Sequence, residues 1–235
     1  MAKVAQILAV AVLCIRAVDA ADAAPTVAEL FTSQGCSSCP PADAVAGRLR
    51  LDPGVIVLSF HVNYWDGPEW RDPFASQLST DRQYGYARAL AEPSVFTPQL
   101  IVNGTLSLVG SDEPAIRRAI AAAGRTALPV QVNLARQADG GFALTLAGPA
   151  SGAELWAAEY VQHSATRIRG GENGGRTLDT YNDVTHLRRL GSFSPGQRLL
   201  PALQPPANGL AILVQAPGTG RLLGAGAYET SATSR

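Results

Sequence analysis

The chain predicts an α/β domain followed by an antiparallel β-sandwich-like region. Three observations lead there. Residues 26–123 alternate short apolar runs with helical patterns, in the order strand, helix, strand, helix, strand, strand, helix. After Leu128-Pro129 the apolar period changes to two, as in Val130, Val132 and Leu134 and again in Phe142, Leu144 and Leu146. Between the first strand and the first helix stands the motif Cys36-Ser37-Ser38-Cys39.

Thr26 to Thr32 is a short apolar run and reads as a buried strand. It carries Glu29, and a carboxylate in a buried strand is costly unless it is paired. Two readings stand for Glu29: a proton acceptor beneath the cysteines with its pKa raised by burial, or an edge position or structural hydrogen bond. Ala42 to Leu49 reads as a helix, with Pro40 or Pro41 in its first turn, where a missing N–H has no consequence. Gly54 to Phe60 is β-branched and apolar on both faces, the pattern of a central parallel strand, and Asp52-Pro53-Gly54 turns into it. Two such strands joined by a helix make a right-handed βαβ unit.

The motif sits where a helix begins. Unpaired N–H groups and the macrodipole there favour a thiolate on the first cysteine, so the pair can close as a reducible disulfide or open as a dithiol. The other readings are an inert loop staple and half of a metal site. His61 follows the second strand at its C-terminal end, where open α/β sheets place their sites. It either faces Cys36, to stabilise a thiolate or transfer a proton, or is a capped structural histidine. Residues 61–73 are rich in Gly, Pro and Asp and read as a loop, in which Trp65 and Trp70 form an apolar wall over the site or simply pack.

Phe74 to Ala91 reads as a helix capped by Asp72, with Phe74, Leu78, Tyr84 and Leu90 inward. Arg82 on it is a surface ion-pair residue or a charge partner for the site. Asn103-Gly104 between strand-like runs is a strong hairpin signal. Thr97-Pro98 precedes the first arm, where a proline need not donate to the ladder. Ser111-Asp112-Glu113-Pro114 opens a last helix, closed by Gly124.

That order of elements, with Cys-x-x-Cys after the first strand and Thr-Pro before the third, resembles the thioredoxin fold. The resemblance implies a cis Thr97–Pro98 peptide whose loop holds a substrate chain beside the disulfide. It makes Cys36 the nucleophile, Cys39 the resolving thiol, Glu29 the buried acid, and Thr97 and Pro98 the residues that hold the substrate chain. Glu29 to Asp43, with His61-Val62-Asn63-Tyr64-Trp65-Asp66 and Thr97-Pro98-Gln99, also resembles the DUF1223 family of exported bacterial thioredoxin-like proteins of unknown function. The expected activity is that of a thiol–disulfide oxidoreductase acting on protein thiols or disulfides, with no cofactor. Two alternatives stand beside it: a binding module braced by a structural disulfide, and copper or zinc handling by Cys36, Cys39 and His61. The redox reading requires the sulfurs to be reachable and faced by the proline loop.

The N-terminus reads as an export signal over residues 1–23, with Lys3, an apolar run from Val4 to Ile15, and small residues around Ala20 and Ala23. The run is about a dozen residues, short for a bilayer. The other reading is a buried N-terminal helix. Cleavage removes Cys14 and leaves Cys36 and Cys39 as the remaining thiols, as suits a periplasmic or secreted protein. No later run is long enough to span a membrane. Nineteen basic residues balance nineteen acidic ones, which argues against nucleic acid as a partner.

The expected domains are residues 24–127, thioredoxin-like, and 128–235, β-rich with about six or seven strands, either separate or packed on the first. Within the second, Gly170-Gly171-Glu172-Asn173-Gly174-Gly175 reads as a flexible loop. Arg167, Arg169, Arg176, Arg188 and Arg189 bias that stretch towards an anionic ligand or acidic partner, or else form a solvated sheet face.

Overall fold

In the computed structural model, residues 25–218 and 220–230 are described. The export-signal reading of residues 1–23, with Cys14, falls outside them. The first half runs β1 (Thr26–Thr32), α1 (Pro40–Leu49), β2 (Val55–His61), a 3₁₀ turn (Asn63–Trp65), α2 (Gln77–Ala89), β3 (Gln99–Val102), β4 (Leu106–Val109) and α3 (Glu113–Ala123). The second half is all strand: β5 (Gln131–Arg136), β6 (Phe142–Ala147), β7 (Glu154–Arg167), β8 (Thr177–Ser192), β9 (Gly196–Leu200), β10 (Gly209–Gln215) and β11 (Leu222–Glu229).

β1 pairs parallel with β2 from Thr26–Val55 to Thr32–His61 and antiparallel with β3, so its apolar residues are buried on both faces. The β3–β4 turn needs positive φ at both central residues, and Asn103 (46°) and Gly104 (69°) supply it. Asp112 caps α3 by accepting from Ala115 N at 3.0 Å.

The sheet does not stop at the first half. Its order is β11-β10-β7-β8-β2-β1-β3-β4, eight strands in one mixed sheet. The join is short: β8 lies parallel to β2 through one register pair, Ser59 with Asp183, and Ser59 Oγ donates to the Tyr181 carbonyl at 2.7 Å. The expectation of an antiparallel sandwich-like region after residue 128 is therefore met only in part. β5, β6 and β9 form a separate three-stranded antiparallel sheet, and the other four late strands extend the main one.

Three apolar clusters follow from this layering. Leu30, Val57 and Leu100 pack under α1 and α3 with Leu49 and Ile116. On the other face Phe31, Leu58, Phe60 and Ile101 meet Tyr86 of α2, and the cluster runs on through Tyr160 and Leu213. Phe142 and Leu144 of the small sheet close over Leu155, Ile212 and Val214. Burying each such large side chain contributes about 1.5–3 kcal/mol.

α2 departs from the sequence reading. It begins at Gln77, capped by Ser76, whose Oγ accepts from Ser79 N at 3.1 Å. Asp72 is not its cap. Leu78 and Tyr84 are exposed (51% and 45%), while Ser79, Arg82, Gln83 and Tyr86 face inward. Of that face, Arg82 and Tyr86 bond a buried carboxylate, Glu29, while Gln83 donates to Phe96 O and Gln99 Oε1.

Candidate functional site

The chain leaves β1 at Thr32, turns through Ser33-Gln34-Gly35, and meets α1 at Pro40. Cys36 N donates to Ser33 O and Cys39 N to Cys36 O, both at 3.2 Å. Cys39 is the N-cap residue of α1, and its carbonyl accepts from Ala42 N (2.8 Å) and Asp43 N (3.1 Å). It is thus the second cysteine that sits on the helix start, with Cys36 in the turn before it. The two are joined as a disulfide, with Cα atoms 5.4 Å apart.

The Thr97–Pro98 peptide is cis. Thr97 Oγ1 donates to Cys36 Sγ at 3.4 Å and accepts from Trp65 Nε1 at 2.8 Å. Ser38 Oγ lies 3.3 Å from Cys36 Sγ. The structure therefore brings together Cys36, Cys39, Thr97, Pro98 and Trp65 from three separate segments.

Neither cysteine has any exposed surface (0% each). The packing on the motif includes a segment from the far half of the chain. Asn173, itself buried, donates through Nδ2 to the carbonyls of Gln34 and Cys36, both at 2.9 Å. Glu172 Oε2 accepts from Ser37 N at 3.0 Å, and this holds its carboxyl below the usual range. Glycines flank the pair on both sides, with Gly171 and Gly175 at positive φ. The expected flexible loop is docked on the cysteine turn.

Glu29 is buried, and its carboxylate is engaged: Arg82 Nε donates to Oε1 at 2.7 Å and Tyr86 OH donates to Oε2. Arg82 also reaches Gln215 Oε1 of β10 at 3.1 Å. Arg82 is a buried ion-pair residue, neither on the surface nor at the cysteines. Its guanidinium is held above its ordinary value because Glu29 and Tyr86 outweigh the opposing effect of burial.

His61 is buried between two carboxylates. Its Nδ1 lies 2.7 Å from Asp72 Oδ2 and its Nε2 3.0 Å from Asp183 Oδ1. Burial alone lowers the imidazole pKa, but the charge of Asp72 and hydrogen bonds to both carboxylates carry it well above its ordinary value. An imidazolium with both N–H groups donating is the consequence. Asp72 also accepts from Gln34 N at 2.7 Å and Phe74 N at 2.9 Å. Burial pushes Asp72 up, yet His61 and these donors hold it below the usual carboxylate value. Thr180 Oγ1 donates to Asp183 at 2.6 Å.

A third acid completes the group. Asp43 lies in the first turn of α1, accepts from Thr32 Oγ1 at 2.8 Å, and is pushed up to about 7, chiefly by burial and against the charge of His61. Both nitrogens of His61 are thus engaged by carboxylates, which removes it from a metal set with the cysteines. Among the described residues no group of three or more His, Cys, Asp or Glu is placed to hold a metal. Sequence reasoning misses Asp43, Asp183 and Asn173 and misassigns Asp72.

Fold and site define an α/β protein in which a Cys-x-x-Cys disulfide is set against a cis-proline loop on a mixed sheet. The chain belongs to the DUF1223 family, proteins of unknown function, whose model matches residues 27–215. Its structure is similar to the crystal structure of protein AGR_C_4864 from Agrobacterium tumefaciens, with a TM-score of 0.78 and 29% identity over 91% of this chain and 97% of that one. It is also similar to HBP35 of Porphyromonas gingivalis, with a TM-score of 0.62 and 18% identity over 91% of this chain and 79% of that one. No curated protein matches.

Proposed function

We propose that the protein is an exported, thioredoxin-like thiol–disulfide oxidoreductase that works through Cys36 and Cys39 and acts on protein thiols or disulfides. The observation that carries this reading is the hydrogen bond from Thr97 Oγ1 to Cys36 Sγ beside a cis Thr97–Pro98 peptide. With the pair closed, a substrate thiolate attacks Cys36 Sγ, the Cys36–Cys39 bond breaks, and Cys39 leaves as a thiolate that takes a proton. A second substrate thiolate then attacks the substrate sulfur of the mixed disulfide and releases the Cys36 thiolate. The substrate is oxidised by two electrons and the protein pair is reduced; the reverse sequence reduces a substrate disulfide. Asp43, one helical turn beyond Cys39, is the buried carboxyl we assign to exchange that proton, because its pKa of about 7 suits the task better than a carboxylate locked to Arg82. An N-terminal export pattern supports a periplasmic or secreted location.

With both sulfurs at 0% exposure the requirement that they be reachable is not met in the closed fold, so the redox reading needs the Asn173 cover to open, and the burial favours a second reading, a binding module in which the disulfide only braces the start of α1. The two diverge on whether the cover opens. The redox reading expects the pair to equilibrate with glutathione buffers, followed by alkylation and gel shift, and expects Cys39→Ser to accumulate a mixed disulfide at Cys36. It further expects Asn173→Ala, which removes two buried hydrogen bonds, to speed reduction by dithiothreitol about tenfold or more. A pair that stays oxidised at every ordinary poise, catalyses no insulin reduction and gains nothing from Asn173→Ala leaves only the structural disulfide.

A further inference from the structure

A groove of about 340 Å³ opens directly beside the cysteine turn, between the loop after β2 and the docked glycine-flanked loop. We propose that it is a docking subsite for a lysine or arginine side chain of the polypeptide whose cysteine exchanges with Cys36; this rests on the redox reading above. It is lined by Trp65, Trp70, Glu69 and Glu172, with Gly35 next to the first cysteine of the disulfide. Glu69 and Glu172 are the charged residues lining it; Arg71 and Arg169, close by in sequence, are exposed and do not.

That combination selects a cation. Indole faces attract ammonium and guanidinium groups, and carboxylates hold them by charge-assisted hydrogen bonds. Glu69 Oε2 accepts from Gly171 N at 3.2 Å and Glu172 Oε2 accepts from Ser37 N at 3.0 Å, so each carboxylate is oriented by a backbone donor and retains acceptor capacity. Trp65 is 38% exposed, yet its indole is fixed by the bond to Thr97 Oγ1. The walls approach through backbone at glycines: a side chain at Gly35 would meet the Trp65 carbonyl at 3.0 Å, and one at Gly170 would collide with the Glu69 carbonyl.

Position sets the substrate. Gly35, which precedes Cys36, lines the groove, and Glu172 in its wall is bonded to Ser37, which follows Cys36. A residue close in sequence to the reacting cysteine of a substrate falls into it. Occupation also draws on Glu172, which fastens the cover to Ser37, so docking and uncovering are coupled.

The test uses the oxidised full chain and acetylated hexapeptides with one cysteine flanked by lysine or by glutamate. The lysine peptide is expected to reduce the pair about tenfold faster or more, with the preference shrinking as salt rises and vanishing in Glu69→Gln/Glu172→Gln. Glu69→Gln alone, which leaves the cover bond intact, is expected to remove part of it. Calorimetry with serine-for-cysteine versions of the same peptides separates docking from redox chemistry. A lysine peptide that binds while neither thiol peptide reacts supports the subsite and sinks the redox reading. Equal binding of both peptides overturns the subsite, and binding of free lysine or arginine as tight as that of the peptide assigns the groove to a small cation instead.

Discussion

Two buried polar clusters sit on the same sheet, and they are built on opposite principles. Glu29, Arg82, Tyr86 and Gln215 form a balanced set, in which one carboxylate meets one guanidinium and the remaining donors and acceptors are matched. Asp43, His61, Asp72 and Asp183 set three acids against one base. In the balanced set each charge meets its counter-charge inside the cluster. In the unbalanced one the cation serves two carboxylates directly, and the third, Asp43, is left to titrate near 7. Excess charge in a buried cluster is what makes a group there able to exchange a proton, and the excess lies in the first turn of the helix that carries Cys39.

The largest effect expected comes from unbalancing the balanced set. Arg82→Met leaves Glu29 buried without its partner and should cost about 3–5 kcal/mol in urea unfolding. Adding Glu29→Gln to that variant should recover most of the loss; a double variant as unstable as the single one would mean that Arg82 acts through packing rather than charge.

Next comes the excess acid. The Asp43 pKa is raised on folding, so its contribution is full below the unfolded value and is lost as pH rises through about 7. Asp43→Asn should therefore stabilise the protein at pH 8 by about 2–4 kcal/mol and change little at pH 4. Urea midpoints at the two pH values decide this, and equal shifts at both would sink the assignment.

A smaller effect is expected at Asp72, whose pKa is lowered on folding. Its contribution is present above the ordinary carboxylate value and is lost as pH falls through the folded one. Asp72→Asn should cost about 1–3 kcal/mol at pH 7 and flatten the acid limb of the stability profile. An unchanged acid limb would sink the assignment of that sensitivity to Asp72.

Much of the first half is legible in the sequence because local signals and tertiary demands agree there. The apolar run Thr26–Thr32, the Asn103-Gly104 turn and the Asp112 cap each carry their own physics, and each element appears where the pattern puts it. α2 misleads because its inward face is Ser79, Arg82, Gln83 and Tyr86, and an amphipathic pattern assumes that the inward face is apolar. Asp43 escapes notice because an acid in a first helical turn ordinarily faces the dipole in water. The junction of β2 with β8 is one long-range register pair and has no local signature. Two glycines on each side of Glu172-Asn173 are a usable signal of a different kind. That spacing suggests looseness, but it also lets two polar side chains approach another backbone closely.

The bond from Asn173 to Cys36 also sets an order of events in the making of the molecule. The two residues are 137 positions apart. A chain growing at about 5–20 residues per second needs on the order of ten seconds to add that interval. Until then the cysteine turn lacks the two hydrogen bonds that Asn173 gives it in the finished fold. A copy arrested short of Asn173 should therefore be oxidised and reduced faster than the finished chain, because it lacks these two bonds over the cysteine turn.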